Sequence, residues 1–181
     1  IDGKNPATDI GTAKRIIYVA GVMSYSEIKL KKIIEEYRLM YEKFDEEFAY
    51  KLMELFGLNK KAKIKNLSKG QETIFNFCCG MATRADITIL DEPVSGVDAI
   101  SRNKIYEIIL RDYIEHPRTI LISSHMLGEM EKILSHMIMI GNNDVLFAGD
   151  IEELKDSVYR VDGELANIEK YCEEKKVLYK K

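Results

Sequence analysis

Residues 86–98 read Asp-Ile-Thr-Ile-Leu-Asp-Glu-Pro-Val-Ser-Gly-Val-Asp, and no other stretch constrains the fold as tightly. Ile87, Ile89 and Leu90 form an apolar run closed by Asp91-Glu92-Pro93, too short for a helix and suited to a strand buried in a parallel sheet. Two carboxylates therefore stand at its C-terminal end, where open α/β sheets bind ligands because the strands stop and leave a crevice. Consecutive strand residues point to opposite sides, so Asp91 and Glu92 can take separate tasks, one holding a hard cation and one accepting a proton from water. Taken alone, the stretch is equally well a strand that ends in solvated acids before a proline turn.

At 181 residues the chain is long enough for one domain with a subdomain and a substantial core. Hydrophobic residues make 46% and charged residues 31%, with three Pro and eleven Gly, a globular composition. The net charge of −3 gives no basis for binding a phosphate backbone, so no nucleic-acid partner is expected. Cys78 and Cys79 are adjacent and Cys172 is remote, which fits a reducing cytosol better than a disulfide framework. No basic-then-apolar leader and no bilayer-length apolar run is present, so a soluble chain is expected. Its start at Ile1, not Met, suggests a piece of a longer protein.

Along the chain, Arg15 to Ala20 reads as a strand closed by Gly21. Ser24 with Glu27 forms a capping-box pattern, opening a helix over about 24–41 whose apolar face is Leu30, Ile33, Ile34, Tyr37, Met40 and Tyr41. A second helix places Phe44, Phe48, Leu52 and Leu55 on one face and stops at Gly57. Five lysines lie in 60–69, either a solvated surface or a basic approach to a polyphosphate. Ser68 caps the next helix, whose N-terminus and Gly70 together suit an anion. A helix over 98–114 should bury Ile105, Ile108, Ile109 and Tyr113. A strand at 119–122 then delivers Ser123-Ser124-His125 to the same sheet edge as Asp91-Glu92, which puts His125 near Glu92. A helix over 126–135, a hairpin around Gly141-Asn142-Asn143-Asp144, a short helix capped by Asp150 with Glu153, a brief strand from Val158 and a helix over 165–175 complete the reading.

Four motifs stand in one order: Leu67-Ser68-Lys69-Gly70-Gln71, Ile89-Leu90-Asp91-Glu92-Pro93, Ser95-Gly96-Val97-Asp98 and Ser123-Ser124-His125. Over about residues 1–157 this resembles the nucleotide-binding subunit of ATP-binding cassette (ABC) transporters, with its signature motif, Walker B, D-loop and switch histidine. The lysine-bearing helical insert and the hairpin followed by Gly149-Asp150-Ile151-Glu152-Glu153-Leu154 look like exporters of the multidrug or antibiotic-resistance type. The resemblance implies an α/β fold, a P-loop NTPase-like parallel sheet with a helical subdomain, truncated at the N-terminus. Residues 1–21 would be a remnant of the core's N-terminal half and 22–85 the helical subdomain. Residues 86–157 would be the core, and 158–181 a C-terminal tail.

By the same resemblance Asp91 would support Mg²⁺ and Glu92 would polarise the water attacking the γ-phosphate of ATP. His125 would contact that phosphate. Ser68, Lys69, Gly70 and Gln71 would face ATP held by a second nucleotide-binding subunit, and Asp98 would link the two sites across the dimer. A transmembrane permease subunit would be the other partner, holding the protein on the inner face of the membrane. The chain departs from the family in three places. It carries no G-x-x-x-x-G-K-[ST], Gly21 stands where a Mg²⁺-ligating Gln is usual, and Lys69 replaces a Gly. The chain alone is therefore expected to be inactive. A chromosome-maintenance type of cassette ATPase would need long coiled-coil heptads, and a regulatory module pairing with intact subunits is the other reading.

Overall fold

The structure is a computed structural model that describes residues 1–20, 27–157 and 162–172. Ile1–Met130 and Glu131–Lys181 are separate compact units. In the first, a four-residue helix α1 (Ile10–Ala13), absent from the sequence reading, is capped by Asp9 and leads into β1 (Ile16–Val19). The helices α2 (Leu30–Met40), α3 (Glu46–Leu55) and α4 (Lys69–Ala82) follow. Next come β2 (Ile87–Asp91), α5 (Ala99–Glu115), β3 (Thr119–Ser123) and the short α6 (Leu127–Met130). The expected parallel sheet is present, in the order β1-β2-β3, with Val19 beside Leu90 and Asp91 beside Ser123.

The core sits where α4 meets β1 and β2. Phe75, Phe77, Cys78, Met81, Leu90 and Ile105 are fully buried there, each large side chain contributing about 1.5–3 kcal/mol by leaving water. Gly80 lets α4 approach the sheet, since a Cβ there would lie 2.2 Å from Val19 Cγ2. Behind it, Asp112 is buried with Arg118 at 2.7 Å and Arg84 at 3.4 Å, and Arg84 also reaches Asp45 at the start of α3. Asp86 ties the other end of the strands together, because Lys43 and then Arg15 hold its carboxyl below the ordinary range.

Several expectations are corrected. The Ser24–Glu27 pair does not open α2 as a capping box; Ser24 lies outside the described residues, Lys29 is the N-cap, and Glu27 pairs with Lys63 and Lys65. Met40, Leu55 and Tyr113 are exposed where apolar periodicity put them inside. On α5 the buried face is Ile105, Tyr106, Ile109 and Asp112, so the face is rotated toward the Arg118 partner of Asp112. β3 is an edge strand and keeps Leu121 half exposed, although its apolar run reads as buried.

The helix expected over 126–135 is only α6, because residues 131–133 turn toward the next strand. In the second unit, β4 (His136–Gly141) and β5 (Asp144–Asp150) form the expected hairpin, with Asn142 and Asn143 at φ 52° and 61° as a two-residue turn requires. Then come α7 (Ile151–Ser157) and α8 (Leu165–Cys172); the strand expected from Val158 lies outside the described residues.

Candidate functional site

Parallel register decides which side chains share a face. Tyr18 on β1, Asp91 on β2 and Ser123 on β3 fall on one face at the C-terminal end of the sheet. The Tyr18 hydroxyl donates to Asp91 Oδ2 at 2.6 Å, and the Ser123 hydroxyl donates to Oδ1. Those two bonds, Ser123 first, hold the Asp91 carboxyl below its ordinary range, and the neighbouring carboxylate pushes the Tyr18 phenol up, so it stays a donor. Each Asp91 oxygen keeps a further lone pair.

Glu92 leaves the strand with φ 47°, a left-handed conformation that costs a non-glycine residue about 1–3 kcal/mol and clusters at functional sites. Its N–H is held by Ser123, through the carbonyl at 3.3 Å and the hydroxyl at 3.0 Å. The turn carries Glu92 away from Tyr18 and Ser123 and toward His125, whose Nδ1 lies 2.8 Å from Oε1. Oε2 is buried without a hydrogen-bond partner, a position that an unpaired carboxylate oxygen holds only at a cost. The expected proximity of His125 and Glu92 is therefore present, and the two acids serve different partners.

Ser68, Lys69, Gly70 and Gln71 open α4. Ser68 and Gln71 form a reciprocal capping box, the Ser68 hydroxyl accepting from Gln71 N–H at 3.2 Å and Gln71 Oε1 accepting from Ser68 N–H at 3.0 Å. Gly70 is pressed on its own chain: a Cβ there would lie 2.4 Å from the Gly96 carbonyl oxygen. Thr73 adds a bond to the Ser95 carbonyl, so α4 is fastened to the turn that follows Glu92. Gly96 takes φ 72°, and Asp98 caps α5 by accepting from Ser101 N–H at 3.0 Å. Among the described residues no hydrogen bond or ion pair joins Ser68–Gln71 to Asp91, Glu92 or His125. Gly21 lies outside the described residues. Sequence reasoning gave Tyr18 and Ser123 no role; the signal was there in strand parity, since aligned parallel strands bring every second side chain to one face.

Asp91 fits a magnesium ion as far as this chain supplies one. It is an ionised hard-oxygen ligand with free lone pairs, and Mg²⁺ in a nucleotide site takes one or two carboxylates and the rest from water and phosphate. No cluster of three or more metal-ligating side chains occurs among the described residues.

No family model matches the chain. The ABC transporter ATP-binding protein YtrB of Bacillus subtilis is 27% identical over 137 residues, covering 76% of this chain and 47% of YtrB. The putative ABC transporter ATP-binding protein AlbC of the same organism is 30% identical, covering 77% of this chain and 60% of AlbC. A solved structure described as the ATP-binding subunit of an ABC transporter superposes with a TM-score of 0.76 at 19% identity, over 87% of this chain and 68% of that one, a likeness of fold. The chain belongs to the ATP-binding proteins of ABC transporters, and it spans about half the length of curated relatives such as YtrB. No helix among the described residues is long and apolar enough to cross a membrane.

Proposed function

We propose that this chain supplies the water-activating half of an ATPase that energises transport. The observation that carries the reading is the Glu92–His125 pair, with a strained Glu92 backbone and an unpaired Oε2, beside a separately held Asp91. Glu92 Oε2 takes the proton of an attacking water, and His125, bonded through Nδ1, fixes the carboxylate's orientation and turns Nε2 to the γ-phosphate. Tyr18 and Ser123 keep Asp91 ionised and aimed. Asp91 would hold Mg²⁺, whose charge would offset the negative charge developing on the transferred phosphate. Ser68, Lys69, Gly70 and Gln71 face the γ-phosphate held by a second subunit; the Ser68 hydroxyl accepts within its own cap and keeps its proton to donate. Asp98 lies between the two sites.

The transmembrane partner is a permease subunit, contacted by the segment around α2 and α3, and the transport is export of the multidrug or antibiotic-resistance kind. The short helical insert and the hairpin followed by α7 support that finer reading. The division into 1–21, 22–85, 86–157 and 158–181 belongs to the same proposal. Because the 181 residues carry no G-x-x-x-x-G-K-[ST], the chain alone is inactive. The test is Mg²⁺-dependent phosphate release by the whole protein. His125→Ala should lower turnover by about 10²–10³-fold with the fold unchanged; turnover within twofold of wild type contradicts the assignment.

A further inference from the structure

The lysines of 60–65 are not alone on their surface. Residues 28–31 run antiparallel to 60–64, with Lys29 opposite Lys63, Leu30 N–H on the Ala62 carbonyl and Lys31 N–H on the Lys60 carbonyl, each at 3.0 Å. Lys29, Lys31 and Lys32 thereby join Lys60, Lys61, Lys63 and Lys65, two sets about thirty positions apart in sequence. Leu30 and Ile64 lie buried beneath them, so the ribbon is a fixed part of the fold.

This concentration of charge is opposed by local physics. Lys29 and Lys63 are a like-charge pair directly across a bridge, which is unfavourable. Lys31 and Lys32 occupy the first turn of α2, which holds no acid, where the helix dipole disfavours cations. Local rules broken together without a structural gain mark a functional surface. The compensation is thin: Glu27 takes Lys63 and Lys65, and Glu35 takes Lys31 and Lys32. Lys60 lies over the Tyr50 ring, and Lys29 and Lys61 have no ion pair among the described residues. The undescribed stretch 21–26 contains no acid to offset them.

We propose that this ribbon and the start of α2 form an electrostatic contact surface for anionic lipid headgroups. The first N–H groups of α2 are taken by the Ala62 and Lys60 carbonyls, so the surface offers only ammonium groups on flexible stems. Such groups respond to charge density and do not fit one anion bidentately, which suits a lipid leaflet better than a bound phosphate. The inference rests on the reading that the protein works against a membrane, and it adds a second, lipid-directed contact.

The test is co-sedimentation of the chain with vesicles of phosphatidylcholine alone or with about one third phosphatidylglycerol, without nucleotide. Binding should require phosphatidylglycerol and fall as salt rises. Combined Lys29→Gln, Lys32→Gln and Lys61→Gln should weaken it on the order of a hundredfold with an unchanged thermal melt, as expected from about fivefold per lysine near an anionic surface. Lys14→Gln, Lys132→Gln and Lys170→Gln, the same change in net charge elsewhere, should leave it within a few fold. Equal binding to neutral vesicles, equal loss in both triple variants, or tighter binding to duplex DNA at the same salt overturns the proposal. If the first triple variant unfolds, the salt and lipid dependence of wild type still decides. Failure here leaves the ATPase reading intact, because that reading is tested by phosphate release.

Discussion

Glu92 is the residue on which the site turns. A glutamate at φ 47° followed by Pro93 is held in a conformation suited to glycine, and Ser123 over-determines it by holding its N–H twice. The carboxylate reaches His125 only because the chain turns there. Glu92→Gly should therefore relieve backbone strain and raise stability by up to about 1 kcal/mol in urea unfolding, since the exposed His125 contact it removes is worth little. A loss greater than about 1 kcal/mol would mean that the conformation is not strained. Asp91 differs: it remains in the strand, and its environment comes from hydroxyls on both flanking strands.

Among the elements, α4 has two tasks. Its C-terminal half fills the core with Phe77, Cys78 and Met81, and its first turn is fastened to the turn after Glu92 by Gly70 and Thr73. The sequence reading found α4, its Ser68 cap, the strands and the meeting of His125 with Glu92, because each follows from periodicity, capping or parallel connection. It found Ile105 and Ile109 of the buried face of α5 and missed Tyr106 and Asp112. Apolar periodicity pointed to Ile108 and Tyr113, whereas Asp112 is drawn inside by Arg118 and Arg84, from β3's entry and the end of α4, a pairing that no local pattern announces. It read Gly70 as letting a ligand near the backbone; the structure adds a packing reason for that glycine, since the Gly96 carbonyl stands where a Cβ would be. Asp112→Ala should cost about 3–5 kcal/mol, the penalty of leaving buried guanidinium groups unpaired, read by urea unfolding. A cost below about 1 kcal/mol would mean that water already screens the cluster.

For the whole molecule, the three-stranded sheet leaves Tyr18 and Leu121 exposed on one face and both outer strands with a free edge among the described residues. The chain spans 47% of YtrB and 60% of AlbC, and the Glu92–His125 pair stands at the C-terminal end of this sheet. With no phosphate-binding loop in its 181 residues, the chain alone should bind ATP with a Kd in the millimolar range or weaker by calorimetry. Micromolar binding would contradict the view that the phosphate cradle lies elsewhere.

If Glu92 activates water while other parts of the assembly hold ATP, the decisive measurement is single-turnover phosphate release by the whole protein with Glu92→Gln. Turnover should fall by about 10²–10⁴-fold with ATP affinity retained; turnover within a few fold of wild type would remove Glu92 from the chemistry.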